Sequence, residues 1–212
     1  MTLYERGTIL FRCDSNLKNK RIILITGTPC VGKTSVSKEL STRINALHID
    51  LAELVKKERL YSEVDEERGS LVADMEKVSK RVEEIVEKSK IDIVIDGHYS
   101  VHIVNPKNID FVFVLRKNPK KLKTLMEKRG YTGKKLWENL AAEILDVCLS
   151  EAIEICGENR VCEIDTTEKT VEEVVNEVLR IIEGKNKCRV GIVDWLGKLE
   201  QEGILEDFLR NF

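Results

Sequence analysis

With 212 residues, 42% of them hydrophobic, the chain has the size and apolar content of one α/β domain with short terminal additions. Its formal net charge of -2 argues against a generally basic nucleic-acid surface, and no direct sequence-specific nucleic-acid binding is expected. No apolar run approaches membrane-spanning length, and Glu5 and Arg6 stand where a secretory signal needs its apolar region, so a cytoplasmic protein with no membrane association is expected.

Taken in chain order, Arg21 to Thr26 suits a buried parallel strand. Residues 27–34 then read Gly-Thr-Pro-Cys-Val-Gly-Lys-Thr, the G-x-x-x-x-G-K-[ST] spacing of a phosphate-binding P-loop. Val36, Leu40 and Ile44 mark one apolar face of the helix that follows. In this setting backbone amides and the start of a helix converge where the helix dipole favours negative charge. Lys33 is expected to neutralise the β/γ-phosphates of ATP, the Thr34 hydroxyl to ligate Mg²⁺, and Ser35 to offer a further donor.

Ala46 to Ile49 makes a short strand, and Asp50 with Glu53 resembles a capping box opening the next helix. Met75, Val78, Val82 and Ile85 mark another helix. Ile91 to Ile95, interrupted only by Asp92, and Phe111 to Leu115 are apolar strands. Helical spacing returns from Lys120 to Met126 and again from Leu136 through Leu140, Ile144 and Cys148. Val161 to Ile164 is a last short strand, and Thr170 with Glu173 caps a helix carrying Val171, Val174, Val175, Val178, Leu179 and Ile182. Five strands alternating with helices predict a P-loop NTPase fold: a five-stranded parallel sheet with helices on both faces. Ligands then bind beyond the carboxyl ends of the strands, where the P-loop, Asp50, Asp96 and His98 all fall.

Asp96 ends the run Ile93-Val94-Ile95 in a Walker B arrangement and is expected to hold Mg²⁺ through water. His98, two residues on, is a candidate to orient a water or a phosphate, whereas His48 and His102 lack such company and read as structural. The guanine-reading Asn-Lys-x-Asp element of GTPases is absent, and Gly97 stands where many ATPases carry a water-activating Glu. A bound second substrate is therefore the expected acceptor. That chemistry needs cations and a closing lid. Lys128 to Lys135, with Gly130 and Gly133 around a basic turn, supplies both; Arg129 would stabilise the transferring phosphoryl, and Arg116 at the end of its strand is a second candidate to reach the phosphates. The six cysteines form no C-x-x-C pair and no metal quartet, and are expected as reduced thiols, Cys148, Cys156 and Cys162 packing as small hydrophobes.

The P-loop, Ile95-Asp96-Gly97-His98, Phe113-Val114-Leu115-Arg116, Arg129-Gly130-Tyr131, Lys134-Lys135, Glu138-Asn139 and Leu60-Tyr61-x-x-x-Asp65-Glu66-Glu67 together resemble adenylate kinase isoenzyme 6 and its archaeal homologues. The resemblance implies a short-form nucleoside monophosphate kinase fold, ATP-dependent phosphorylation of AMP and other monophosphates such as CMP, and ATP hydrolysis. For eukaryotic members it also implies a part in small-ribosomal-subunit maturation through transient contact with ribosomal protein uS11 and the pre-small subunit. A small-molecule kinase of the shikimate kinase type is the third reading. Carried over by position, ATP phosphates fall on Gly27, Cys30, Gly32, Lys33, Thr34 and Ser35, with Arg129 reaching in from a lid over about 128–138. The monophosphate region spans about 50–73, with Asp50 and Lys56 as its contacts, and Asp96 with His98 matches an Asp-x-His element tied to ATPase activity. Lys56 stands where arginine is common, and Cys30 where glycine is usual. The stretch 99–108 lacks the family's Cys-Asp and Phe-Pro-Glu-Arg character. The expected organisation is an N-terminal extension over 1–20, a kinase domain over 21–184 and an apolar C-terminal extension over 185–212, whose Trp195, Leu196, Leu199, Leu205, Phe208 and Leu209 predict docking on the domain or on a partner.

Overall fold

Alternating side chains of one strand divide the interior in two. In the computed structural model, which describes residues 20–65 and 70–210, strand β1 (Ile22–Thr26) buries every residue. Ile23 and Ile25 enter one apolar cluster, Ile22 and Leu24 the other. β1 is the middle of a five-stranded sheet in the order β2 (Leu47–Asp50), β5 (Ile93–Asp96), β1, β6 (Phe111–Arg116), β7 (Val161–Asp165), with every pair parallel. This is the architecture expected from the strand pattern. The register sets Ile25 and Asp50 on either side of Asp96, so two carboxylates and the start of the P-loop share one level at the carboxyl edge.

Helix α1 (Lys33–Ile44) covers one face beside α8 (Val171–Ile182), whose Thr170–Glu173 capping box forms as the sequence predicts. The same face carries α5 (Pro119–Lys128), α6 (Gly133–Ile144), α9 (Trp195–Gln201) and α10 (Leu205–Leu209). The opposite face carries α2 (Leu51–Glu58), α3 (Met75–Lys88), α4 (Ser100–Ile103) and α7 (Val147–Cys156).

Several expectations change. β5 begins at Ile93, because the Asp92 carboxylate accepts from Arg21 N and Nε, each at 2.8 Å, and serves to tie the start of two strands. The single helix expected from Leu136 to Cys148 is two, α6 and α7, broken at Asp146 with φ 56°. There Arg116 Nη2 donates to the Glu143 carbonyl at 2.8 Å, taking an acceptor that a continuing helix would use. The stretch 50–73 holds an antiparallel hairpin, β3 (Tyr61–Asp65) with β4 (Ser70–Ala73), that no periodicity announced. Glu66 and Glu67, and residues 1–19 of the N-terminal extension, lie outside the described residues.

Two of the cysteines also differ from expectation. Cys162 and Cys188 form a disulfide, while Cys30, Cys148 and Cys156 are free. After α8 the chain folds back along β7, with Glu163 N donating to Arg189 O at 2.8 Å, and that return brings Cys188 beside Cys162. Trp195, Leu199 and Phe208 are buried against this body of the protein. Among the described residues no helix is long and apolar enough to cross a membrane.

Candidate active site

The P-loop leaves β1 at Gly27, whose φ of +130° and surroundings both demand glycine: a Cβ there would collide with the Leu115 carbonyl oxygen. Cys30, in the place where the resemblance expects glycine, holds φ 71°. Gly32 at φ 110° precedes α1 without a side-chain cap, and the first turn of α1 has no acidic residue, so the helix-start amides are left for an anion. Lys33 Nζ turns back to donate to the carbonyls of Gly27 at 2.7 Å and Thr28 at 2.9 Å. Burial lowers its pKa, opposed by nearby Cys148, Asp96 and Glu143. Ser35 is exposed in the first turn of α1.

Thr34 Oγ1 donates to Asp96 Oδ1 at 3.0 Å and lies 3.3 Å from Asp50 Oδ2. Asp50 also caps α2, accepting from Glu53 N at 3.0 Å. The donors gathered here are all hard oxygens, a hydroxyl and two carboxylates, and this set suits Mg²⁺, which keeps most of its shell for water and phosphate. Asp96 is 2% exposed, and its other oxygen accepts from His48 Nε2 at 2.6 Å. His48, expected to lack such company, is set by the pairing of β2 with β5 on the carboxylate of the Walker B position.

His98 faces elsewhere. Its Nδ1 lies 3.4 Å from the Gly27 carbonyl oxygen and 3.6 Å from Cys148 Sγ, and burial, with Lys33 close by, lowers its pKa so that the ring is neutral at neutral pH. Its ring thus meets the P-loop and not the Asp96 carboxylate. Gly97 has a packing reason, since a Cβ there would meet Leu51 Cδ1 at 2.7 Å. Beside His98 and Gly97 opens a cavity of about 340 Å³, walled by Leu51, Val55, Leu71, Met75 and Tyr99, with Lys56 on its lining.

Arg116 does not face the phosphate side as expected. It is 1% exposed and enclosed by carboxylates: Nε donates to Glu143 at 2.9 Å, Nη1 to Glu163 at 2.5 Å, and Nη2 to Asp146. A guanidinium so committed holds the core together and does not serve the phosphates. Arg129, by contrast, is exposed just after α5, and its Nη1 reaches Cys30 Sγ at 3.9 Å. Within the stretch 128–138, where a lid is expected, Arg129 to Thr132 lie between helices and α6 begins at Gly133.

A family profile described as AAA domain matches residues 23–146. A protein of Methanocaldococcus jannaschii named "Putative adenylate kinase" is 50% identical over 176 residues, covering 83% of this chain and 93% of that protein. One of Methanococcus maripaludis with the same name is 42% identical over 180 residues, covering 82% and 95%. Among solved structures, shikimate kinase from Acinetobacter baumannii in complex with shikimate aligns with a TM-score of 0.59 at 12% identity, over 79% of this chain and 96% of that one, a likeness of fold alone. Fold, P-loop and relatives agree, and the chain belongs to the archaeal and eukaryotic adenylate kinase-like family of P-loop proteins.

Proposed function

We propose that the protein is a nucleoside monophosphate kinase that passes the terminal phosphoryl of ATP to AMP. The observation that carries this reading is the adjacency of two sites: a P-loop cradle with Lys33 and Thr34, and a separate apolar cavity lined by Lys56, sharing His98 between them. An enzyme that only hydrolyses ATP needs no second cavity. The names of the archaeal relatives support AMP as acceptor.

In this reading the amides around Cys30, Gly32 and Ser35 take the ATP phosphates, and Lys33 exchanges its loop carbonyls for β/γ-oxygens. Thr34 would hold Mg²⁺ directly and Asp96 through water, with Asp50 beside them; the ion supplies charge neutralisation at the phosphates. Lys56 would meet the acceptor phosphate from the cavity wall. An oxygen of that phosphate attacks the γ-phosphorus, the bond to the β–γ bridging oxygen breaks, and ADP leaves with the electron pair. Arg129, already over Cys30, would neutralise charge on the transferring group, and the neutral His98 ring would orient the acceptor side.

ADP production measured with ATP·Mg²⁺ alone and then with each monophosphate tests the reading. AMP should stimulate turnover strongly, and Lys33→Met should lower it by about a hundredfold or more while the circular dichroism stays that of the parent. Turnover independent of any acceptor would instead favour an ATPase of the kind the family likeness links to uS11 and small-subunit assembly. Retained turnover in Lys33→Met would remove the P-loop assignment.

A further inference from the structure

The buried carboxylate of Glu143 has no part in the proposed phosphoryl transfer, yet donors from four residues meet on it. Its Oε1 accepts from Arg116 Nε at 2.9 Å, Lys117 N at 3.0 Å and Trp195 Nε1 at 3.1 Å, and its Oε2 from the hydroxyl of Thr28. Thr28 is the second residue of the P-loop and is fully buried, and its own carbonyl accepts from Lys33 Nζ. Trp195 opens α9 in the C-terminal segment and is 5% exposed. One carboxylate therefore stands between α9 and the turn that seats the P-loop lysine.

The segment bringing Trp195 there is itself anchored. Ile192 N donates to Glu163 Oε2 at 2.7 Å, on the second carboxylate of the Arg116 cage, and Asp194 caps α9 by accepting from Gly197 N at 2.7 Å. Beyond it Leu199 and Phe208 are buried, with Phe208 edge-on to Trp137 of α6 at 6.4 Å. With three donors crowded on Oε1, the plane of the carboxylate is fixed and Oε2 is aimed at the Thr28 hydroxyl.

We propose that Trp195 is a positioning residue for nucleotide binding: through Glu143 it holds Thr28, and with it the shape of the P-loop whose amides take the phosphates. The proposal rests on the phosphate role assigned to the loop. It makes the C-terminal segment a working part of the ATP site and not only a cover for the core.

Trp195→Phe in the full chain keeps an aromatic ring and removes the N–H donor. Titration with a fluorescent ATP analogue and Mg²⁺ should give a Kd raised by about fivefold, the order expected for one lost hydrogen bond to a buried carboxylate, while the Kd for AMP stays unchanged. Thr28→Val should weaken ATP binding similarly, and the double variant should be no weaker than the worse single, since both cut one chain of contacts. ATP binding like the parent's in Trp195→Phe, or losses that multiply in the double variant, would overturn the proposal. Failure of the parent chain to bind ATP would overturn the phosphate reading first, so the two failures are distinguishable. Should Trp195→Phe not fold, the Trp137→Phe chain decides: its only tryptophan is then Trp195, whose emission must change on saturation with ATP, and unchanged emission overturns the relay.

Discussion

Cys30 brings a thiol to the place in the P-loop where backbone geometry selects glycine, at φ 71°, partly exposed beside the start of α1 and within reach of Arg129. Cys148 and Cys156 are free but buried, and burial, with Glu143 close, pushes the Cys148 thiol up to about 12. A thiol with so high a pKa offers almost no thiolate at pH 8. Brief iodoacetamide treatment at that pH, mapped by mass spectrometry, should label Cys30 ahead of Cys148 and Cys156, and ATP·Mg²⁺ should slow the labelling by covering the loop. Equal labelling with and without ATP would mean that nucleotide does not sit over Cys30. The residues of the loop were legible because their spacing along the chain is the signal. His48 was not, for its meaning comes from a carboxylate 48 residues away on the neighbouring strand.

The elements legible in the sequence are those with large buried apolar surface: β1, β5 and β6, apolar runs buried on both faces, and helices such as α8 that bury one face behind a capping box. The β3–β4 hairpin escaped the same reading because it leaves Ser62, Glu63 and Val64 exposed and carries little buried surface to impose an alternation. The α6–α7 break escaped it because apolar spacing runs through Ile144 to Cys148 undisturbed, while the cause is Arg116 on another strand. Element packing also gives a test of the C-terminal segment. Phe208 of α10 is 7% exposed, edge-on to Trp137, with Lys123 Nζ 4.7 Å from the Trp137 ring centroid. Phe208→Ala should lower the free energy of unfolding by about 2–4 kcal/mol through lost burial and a partly collapsed cavity. Urea unfolding followed by circular dichroism measures this, and a loss below about 0.5 kcal/mol would show that α10 is not held on α6 in solution.

For the molecule as a whole, the Arg116 cage joins β6, β7, α6 and the C-terminal segment through Glu143, Glu163 and Asp146. Removing the guanidinium strands two buried carboxylates, so Arg116→Met should cost about 3–5 kcal/mol near neutral pH. Burial already raises the pKa of Glu163, so the folded state holds its proton more readily than the unfolded chain, a contribution that is present at low pH and fades as pH rises through the folded value. Without Arg116 that rise is larger, and the gap in urea stability between variant and parent should narrow from pH 8 to pH 5; a gap independent of pH would mean that unpaired charge is not its source. The sequence by itself determined the parallel sheet, the P-loop, the acid at the tip of β5 and the caps of α2 and α8, because each is written in residues a few positions apart, where backbone geometry and burial of a face act locally. Only the tertiary structure decided that Arg116 belongs to a buried cage, that His48 pairs with Asp96, that Cys162 meets Cys188 across 26 residues, and that Trp195 reaches Thr28 through Glu143, itself 115 residues from Thr28. An arginine at a strand end, or a tryptophan after the last strand, looks the same in sequence whether it faces a phosphate, a carboxylate or water, since polar partners are chosen by the path of the chain in space and leave no period along it.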